Sequence, residues 1–147
     1  MSLDSAEAEI KYAGSDLWIG ISPSGHSTVL DTDHDRASAP TPVELLLVAL
    51  GACTGVDIVS ILKKKRQVVT GYSNKVTGKR RDEFPRSFTH MHVHHIITGK
   101  SVDNVAAARA IELSEEKYCS VAATLRPTVE ITSSFEVIED EILTGVP

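Results

Sequence analysis

Apolar and polar positions alternate from the start of the chain. Ile10 and Tyr12 set the first run, Leu17, Ile19 and Ile21 the second, and Thr28-Val29-Leu30 the third. Between them lie Ala13-Gly14-Ser15-Asp16 and Ser22-Pro23-Ser24-Gly25, both rich in turn formers. A period of two broken by short turns predicts a three-stranded meander. Thr32 to Ala39 is polar without a period and reads as a loop. The pattern then changes. Thr41-Pro42-Val43-Glu44 supplies an N-cap hydroxyl, a proline at the first helical position and a glutamate three residues after the cap, which together form a capping box. The predicted helix runs through Leu45 to Leu50, Gly51-Ala52-Cys53-Thr54-Gly55 and Val56 to Leu62, and ends in Lys63-Lys64-Lys65-Arg66, cations suited to the negative end of its dipole. Its first half is apolar on every side, the pattern of a helix buried all round. Gly51 and Gly55 each cost roughly 1 kcal/mol against alanine, so their place around Cys53 points to close packing on the backbone there.

Val68 to Val76 and Phe88 to Thr98 read as a strand pair joined by a charged connection, Gly78 to Arg86. Ser101-Val102-Asp103 opens a second helix reaching about Tyr118. Cys119 to Leu125 is one more helical turn before Pro127, and Val129 to Val137 a last strand. The order βββ-α-ββ-α-β does not alternate strictly, which predicts an α+β fold in one domain over residues 1–147. So apolar a first helix is hard to cover with one chain of this length, and a second subunit is expected over it.

Composition narrows the function. At 147 residues with 41% hydrophobic and 24% charged positions, the chain is of ordinary globular make-up. The net charge of -5 disfavours a nucleic-acid partner. The longest apolar run, Leu45 to Leu50, falls short of a bilayer span, and Met1 to Ser5 has no signal-peptide pattern, so a cytoplasmic protein with no membrane partner is expected.

Chemistry-bearing residues are few. Cys53 lies in the most apolar helix and Cys119 sixty-six residues later. A cysteine in such a helix is usually a small hydrophobe. The sharper alternative is a redox pair in which one thiolate attacks and the other resolves the product as a disulfide. Neither cysteine has another Cys or a His within five positions, which speaks against zinc, and no cofactor is expected. His90, His92 and His94 alternate along one strand and share a face, with His95 turned away. Three imidazoles there fit zinc or nickel in principle, but neighbours on one strand splay apart, and a solvated or interfacial face is the better reading.

The stretch Pro42-Val43-Glu44-Leu45-Leu46-Leu47-Val48-Ala49-Leu50-Gly51-Ala52-Cys53, with Glu116-Lys117-Tyr118-Cys119-Ser120-Val121, resembles the OsmC/Ohr family of thiol peroxidases, closest to its OsmC-like branch. The likeness in element order extends from about Ile10 to Val137. It implies an OsmC-like fold with a buried central helix and an intertwined homodimer with the thiol pair at the subunit interface. In that family the helix cysteine, here Cys53, attacks an organic or lipid hydroperoxide and becomes a sulfenic acid. The second, here Cys119, closes a disulfide that a dithiol reductant reopens. An arginine beside the sulfur, oriented by a carboxylate, would hold the thiolate.

The chain departs from that pattern in two places. The family's carboxylate follows the helix-opening proline, where this chain has Val43, with Glu44 one residue later and about 100° further round the helix. Glu44 is thus a catalytic candidate and equally the capping-box partner of Thr41. No arginine precedes Arg36, so the family's hairpin arginine has no match; Arg36 is the first substitute and Arg86 the second. The expected site is therefore Cys53, Cys119, Glu44 and Arg36. The rival from another class is a non-catalytic module that holds an apolar metabolite or acyl chain while the cysteines merely pack.

Overall fold

Residues 5–141 are described in the structure, a computed structural model. The chain divides into two compact units, residues 1–46 and 47–147. In the first, β1 (Glu9–Gly14), β2 (Leu17–Ile21) and β3 (Ser27–Asp31) form the antiparallel meander that the alternation predicts. Ser15 and Asp16 sit at φ of 51° and 60°, the left-handed pair that a two-residue hairpin needs to match strand twist.

The polar stretch after β3 is organised by one carboxylate. Asp31 is buried and accepts from Arg36 Nε and Nη2, each at 2.8 Å, from Ser38 Oγ at 2.6 Å and from the Ser38 and Asp33 amides at 3.0 and 2.9 Å. The Arg36 guanidinium, followed by the Ser38 hydroxyl, holds this carboxyl well below the usual range. Arg36 also donates to the Ser15 carbonyl at 2.7 Å, tying the loop to the first hairpin.

The long helix α1 (Pro42–Lys64) starts where its cap predicts. The Thr41 amide donates to Glu44 Oε2 at 2.8 Å and the Glu44 amide to Thr41 Oγ1 at 3.2 Å, the reciprocal pair of a capping box. Within one chain, burial of the helix is one-sided. Only Leu50, Gly51, Thr54, Gly55, Ile58 and Leu62 are buried, while Val48 and Val56 are 61% and 71% exposed. The helix is apolar all round, yet a single chain covers one side of it. With 23 residues and an 18-residue stretch of mean hydropathy 2.3 it has the length and composition of a membrane span, which a count of its longest apolar run does not reveal. Its buried side packs on the sheet and helix of its own unit, and it carries Asp57 mid-length.

The second unit holds β4 (Val68–Arg80), β5 (Phe88–Lys100) and β6 (Glu130–Glu139), in that order across the sheet. β4 and β5 are antiparallel, and β6 runs parallel to β5. The crossover carries α2 (Asn104–Leu113) and the short α3 (Ser120–Leu125). The strand pair is longer than its apolar pattern: Gly78, Lys79 and Arg80 belong to β4, not to the connection, because each has a ladder partner on β5 whatever its polarity. Asp103 caps α2 through the Val105 and Ala106 amides at 3.3 and 3.2 Å. Ile58 and Leu62 of α1 pack with Ile97 of β5 and with Ala106, Ala107, Ala110 and Ile111 of α2 to form the core.

The two glycines of α1 show why they are there. A Cβ on Gly51 would stand 2.6 Å from Asn74 Oδ1 and 2.9 Å from Val76 Cγ2, and one on Gly55 would stand 2.7 Å from Tyr72 Cε1. β4 side chains therefore rest directly on the helix backbone. Gly55→Ala is expected to destabilise the protein by ~1–3 kcal/mol through overpacking, despite alanine's helix-propensity advantage of ~1 kcal/mol. Urea denaturation checks the sign; an unchanged or raised midpoint would show that Tyr72 yields freely.

Candidate functional site

Cys53 and Asp57 are one helical turn apart on α1, so their side chains share a flank of that helix. Across from them α2 does not end in a simple cap. It widens into a π-helical turn, Ser114–Tyr118, in which the Cys119 amide reaches back to the Ser114 carbonyl at 2.8 Å. Such one-residue expansions re-aim the side chains that follow them. Cys119 then leaves in extended conformation and becomes the N-cap of α3, its Sγ accepting from the Ala122 amide at 3.3 Å.

These elements bring the two sulfurs together. Cys53 Sγ, Cys119 Sγ and a carboxylate oxygen of Asp57 all lie within 4.8 Å of one another. Both cysteines are free thiols, Cys119 buried and Cys53 half-buried. Ser114, with no exposed surface, donates its hydroxyl to Asp57 Oδ2 at 2.9 Å. Burial, and secondarily the neighbouring Cys53, pushes the Cys119 thiol up to about 11, against the lowering effect of the Ala122 amide. The arrangement brings two free thiols and a carboxylate together, and burial keeps the Cys119 thiol protonated at neutral pH.

Residues 33–134 match the family of OsmC-like proteins. The chain belongs to that family. It is 45% identical over 132 residues to Protein YhfA of Escherichia coli strain K12, covering 90% of this chain and 98% of that one. A hypothetical protein from Aquifex aeolicus superposes with a TM-score of 0.83 at 32% identity, over 94% and 99% of the two chains. An organic hydroperoxide resistance protein OsmC from Legionella pneumophila shares the fold at 17% identity, with a TM-score of 0.69 over 93% of this chain and 100% of that one.

The remaining expected site residues of this OsmC-like chain are found in other bonds. Arg36 is held in two hydrogen bonds by Asp31, and Glu44 by the Thr41 amide, both within the first unit. Arg86 lies in the β4–β5 connection, donating to the Arg81 carbonyl at 3.3 Å. His90, His92 and His94 share a face as their alternation predicts, and β6 engages their ring nitrogens. His92 meets Thr132 and Ser134 at 2.7 and 2.8 Å, His94 meets Ser134 and Glu136 at 2.7 and 3.1 Å, and His90 Nε2 meets Glu130 at 3.0 Å. Asp57 and Ser114 lie outside the site expected from sequence. A helical i+4 step from Cys53 is the signal for the first; nothing local marks the second.

His95 lies on the opposite face of β5 and is buried. Asn74 Nδ2 donates to the Gly51 carbonyl at 2.8 Å and to the Tyr72 hydroxyl at 2.7 Å, and that hydroxyl is 2.7 Å from His95 Nδ1. A chain of side chains, half-buried at Tyr72 and Asn74, thus reaches the α1 backbone two residues before Cys53. Burial, with smaller contributions from His94 and His92, lowers His95 from 6.5 to about 4. The unfolded chain takes up this proton near pH 6.5 and the folded one only near pH 4, so the associated stability is complete above about 6.5 and lost as pH falls toward 4. Thermal melts from pH 7 to 5 should show Tm falling less steeply in His95→Gln than in the parent. Parallel curves would show that His95 titrates normally.

Proposed function

We propose that this chain is a cysteine-based peroxidase of oxidative-stress defence that reduces organic and lipid hydroperoxides through Cys53 and Cys119. The observation that carries the reading is the approach of two free sulfurs within 4.8 Å between an apolar helix and a buried cap. The family and its hydroperoxide-resistance relatives support the same chemistry. Cys53, the more accessible thiol, attacks the terminal peroxide oxygen; the O–O bond breaks, the alcohol leaves with a proton, and Cys53 becomes a sulfenic acid. Cys119 then attacks that sulfur, its proton leaves with the hydroxyl as water, and the disulfide forms. Asp57 is the carboxylate placed to relay that proton. A dithiol reductant returns two electrons and two protons, and the reading puts the chain in the cytoplasm, where such reductants operate. We assign Arg36 to holding the loop through Asp31, and Glu44 to capping α1.

The reading includes a homodimer. Leu47, Val48, Ala52, Val56 and Val59 line an open groove of about 940 Å³ along the uncovered side of α1. Apolar surface of this kind is the mark of a partner, and a second copy of the chain is the occupant the family implies. The rival reading, an apolar-ligand binder with idle thiols, draws on the same groove.

One equivalent of cumene hydroperoxide should remove two titratable thiols per chain, with recovery after a dithiol is added. Cys53→Ser should lose no thiol and consume no peroxide. Cys119→Ser should complete one turnover and leave a sulfenic acid that dimedone traps. Peroxide consumption by Cys53→Ser at the parental rate overturns the mechanism, and no thiol loss in the parent supports the binder. Sedimentation should give twice 15.9 kDa.

A further inference from the structure

We propose that the reduced site is also a metal site, in which Cys53, Asp57 and Cys119 bind a thiophilic divalent cation of the zinc class and leave a fourth position open. The donors already converge. Two zinc–sulfur bonds of about 2.3 Å in a tetrahedron set the sulfurs about 3.8 Å apart, whereas here the three donor atoms lie within 4.8 Å of one another. Closing the site takes a movement of at most about 1 Å. Two donors stand on consecutive turns of α1 and the third caps α3, so regular elements hold all three.

The surroundings fit a cation. Asp57 is half-buried and, among the described residues, forms no salt bridge with an arginine, lysine or histidine. The Ser114 hydroxyl occupies Asp57 Oδ2 and orients the carboxylate, the outer-shell hydrogen bond that metal-ligating carboxylates require. Ser114 is itself fully buried. Two sulfurs and one oxygen suit zinc and disfavour magnesium or calcium, which take oxygen alone. The sequence hides this set because only cysteine and histidine neighbours suggest a zinc site, and the third donor is a carboxylate.

Binding displaces the two thiol protons as the metal–sulfur bonds form. A hydroperoxide would then release the ion: the two metal thiolates give up two electrons and become the disulfide, the peroxide takes those electrons and two protons to yield alcohol and water, and the cation departs unchanged. This release step rests on the peroxidase reading; binding does not.

The test is equilibrium dialysis of the reduced protein against micromolar zinc, with metal counted by elemental analysis, and cobalt(II) titration followed in the near ultraviolet. One zinc per chain and a thiolate-to-cobalt charge-transfer band are expected. Cys53→Ser should abolish both, and Ser114→Ala, which keeps every donor, should weaken zinc ~10-fold. The parental cobalt spectrum stands as evidence even where a variant misfolds. Zinc bound equally by the parent and Cys53→Ser, or none bound by the parent, overturns the proposal. Zinc that stays bound after hydroperoxide, with both thiols intact, leaves the metal site standing and sinks the peroxidase reading. Thiol loss without any zinc binding does the reverse.

Discussion

The contact on which the rest depends is the bare approach of β4 to the backbone of α1. Gly51 and Gly55 let Asn74, Val76 and Tyr72 touch the helix, and Asn74 donates to the Gly51 carbonyl. These contacts set both the depth and the rotation of α1. With that rotation fixed, Ile58 and Leu62 enter the core, and Cys53 and Asp57 turn to the end of α2, where Ser114 meets Asp57. A methyl group at either glycine would push the helix outward, and the sulfur carried by the helix would move with it.

The second constraint is electrical. Asp31 in the first unit and Asp57 in the second each accept from side chains of their own unit, and the two differ in partner. Asp31 is answered by the Arg36 guanidinium and three further donors, so its charge is settled and its task is structural. Asp57 has a serine hydroxyl in the same position and two thiols beyond it. A neutral donor orients a carboxylate without neutralising it. Asp57 is therefore oriented by Ser114 and, among the described residues, has no salt-bridge partner.

Much of this was legible in the sequence, for reasons that can be named. The strand alternations, the capping box and the flanking glycines are local signals, and each element they mark is found where they place it. Charge at Gly78 to Arg80 has the signature of a loop, but ladder pairing with β5 makes these residues strand. The apolar composition of α1 predicts burial on all sides, but composition does not say which residues cover each side. The meeting of Cys53 with Cys119 was legible only through family likeness, since sixty-six residues separate them. Ser114 and the π-helical turn gave no warning: one residue of extra winding leaves no trace in periodicity, yet it decides which way Cys119 points.

The proximity of the three acidic groups also limits which states the site can occupy. Two unit charges about 4.8 Å apart repel by about 3.5 kcal/mol at an effective dielectric of about 20, and here the third group lies as close as the second. Ionising both thiols beside Asp57 would incur that repulsion for each of the three pairs. Protonating the buried Cys119 thiol removes two of the three pairs, and joining the sulfurs would remove them all. A thiol peroxidase whose thiolate rests on an arginine can keep its nucleophile ionised while it waits. Under the proposed mechanism, the buried Cys119 stays protonated until Cys53 has been oxidised, which keeps the two sulfurs from being charged together.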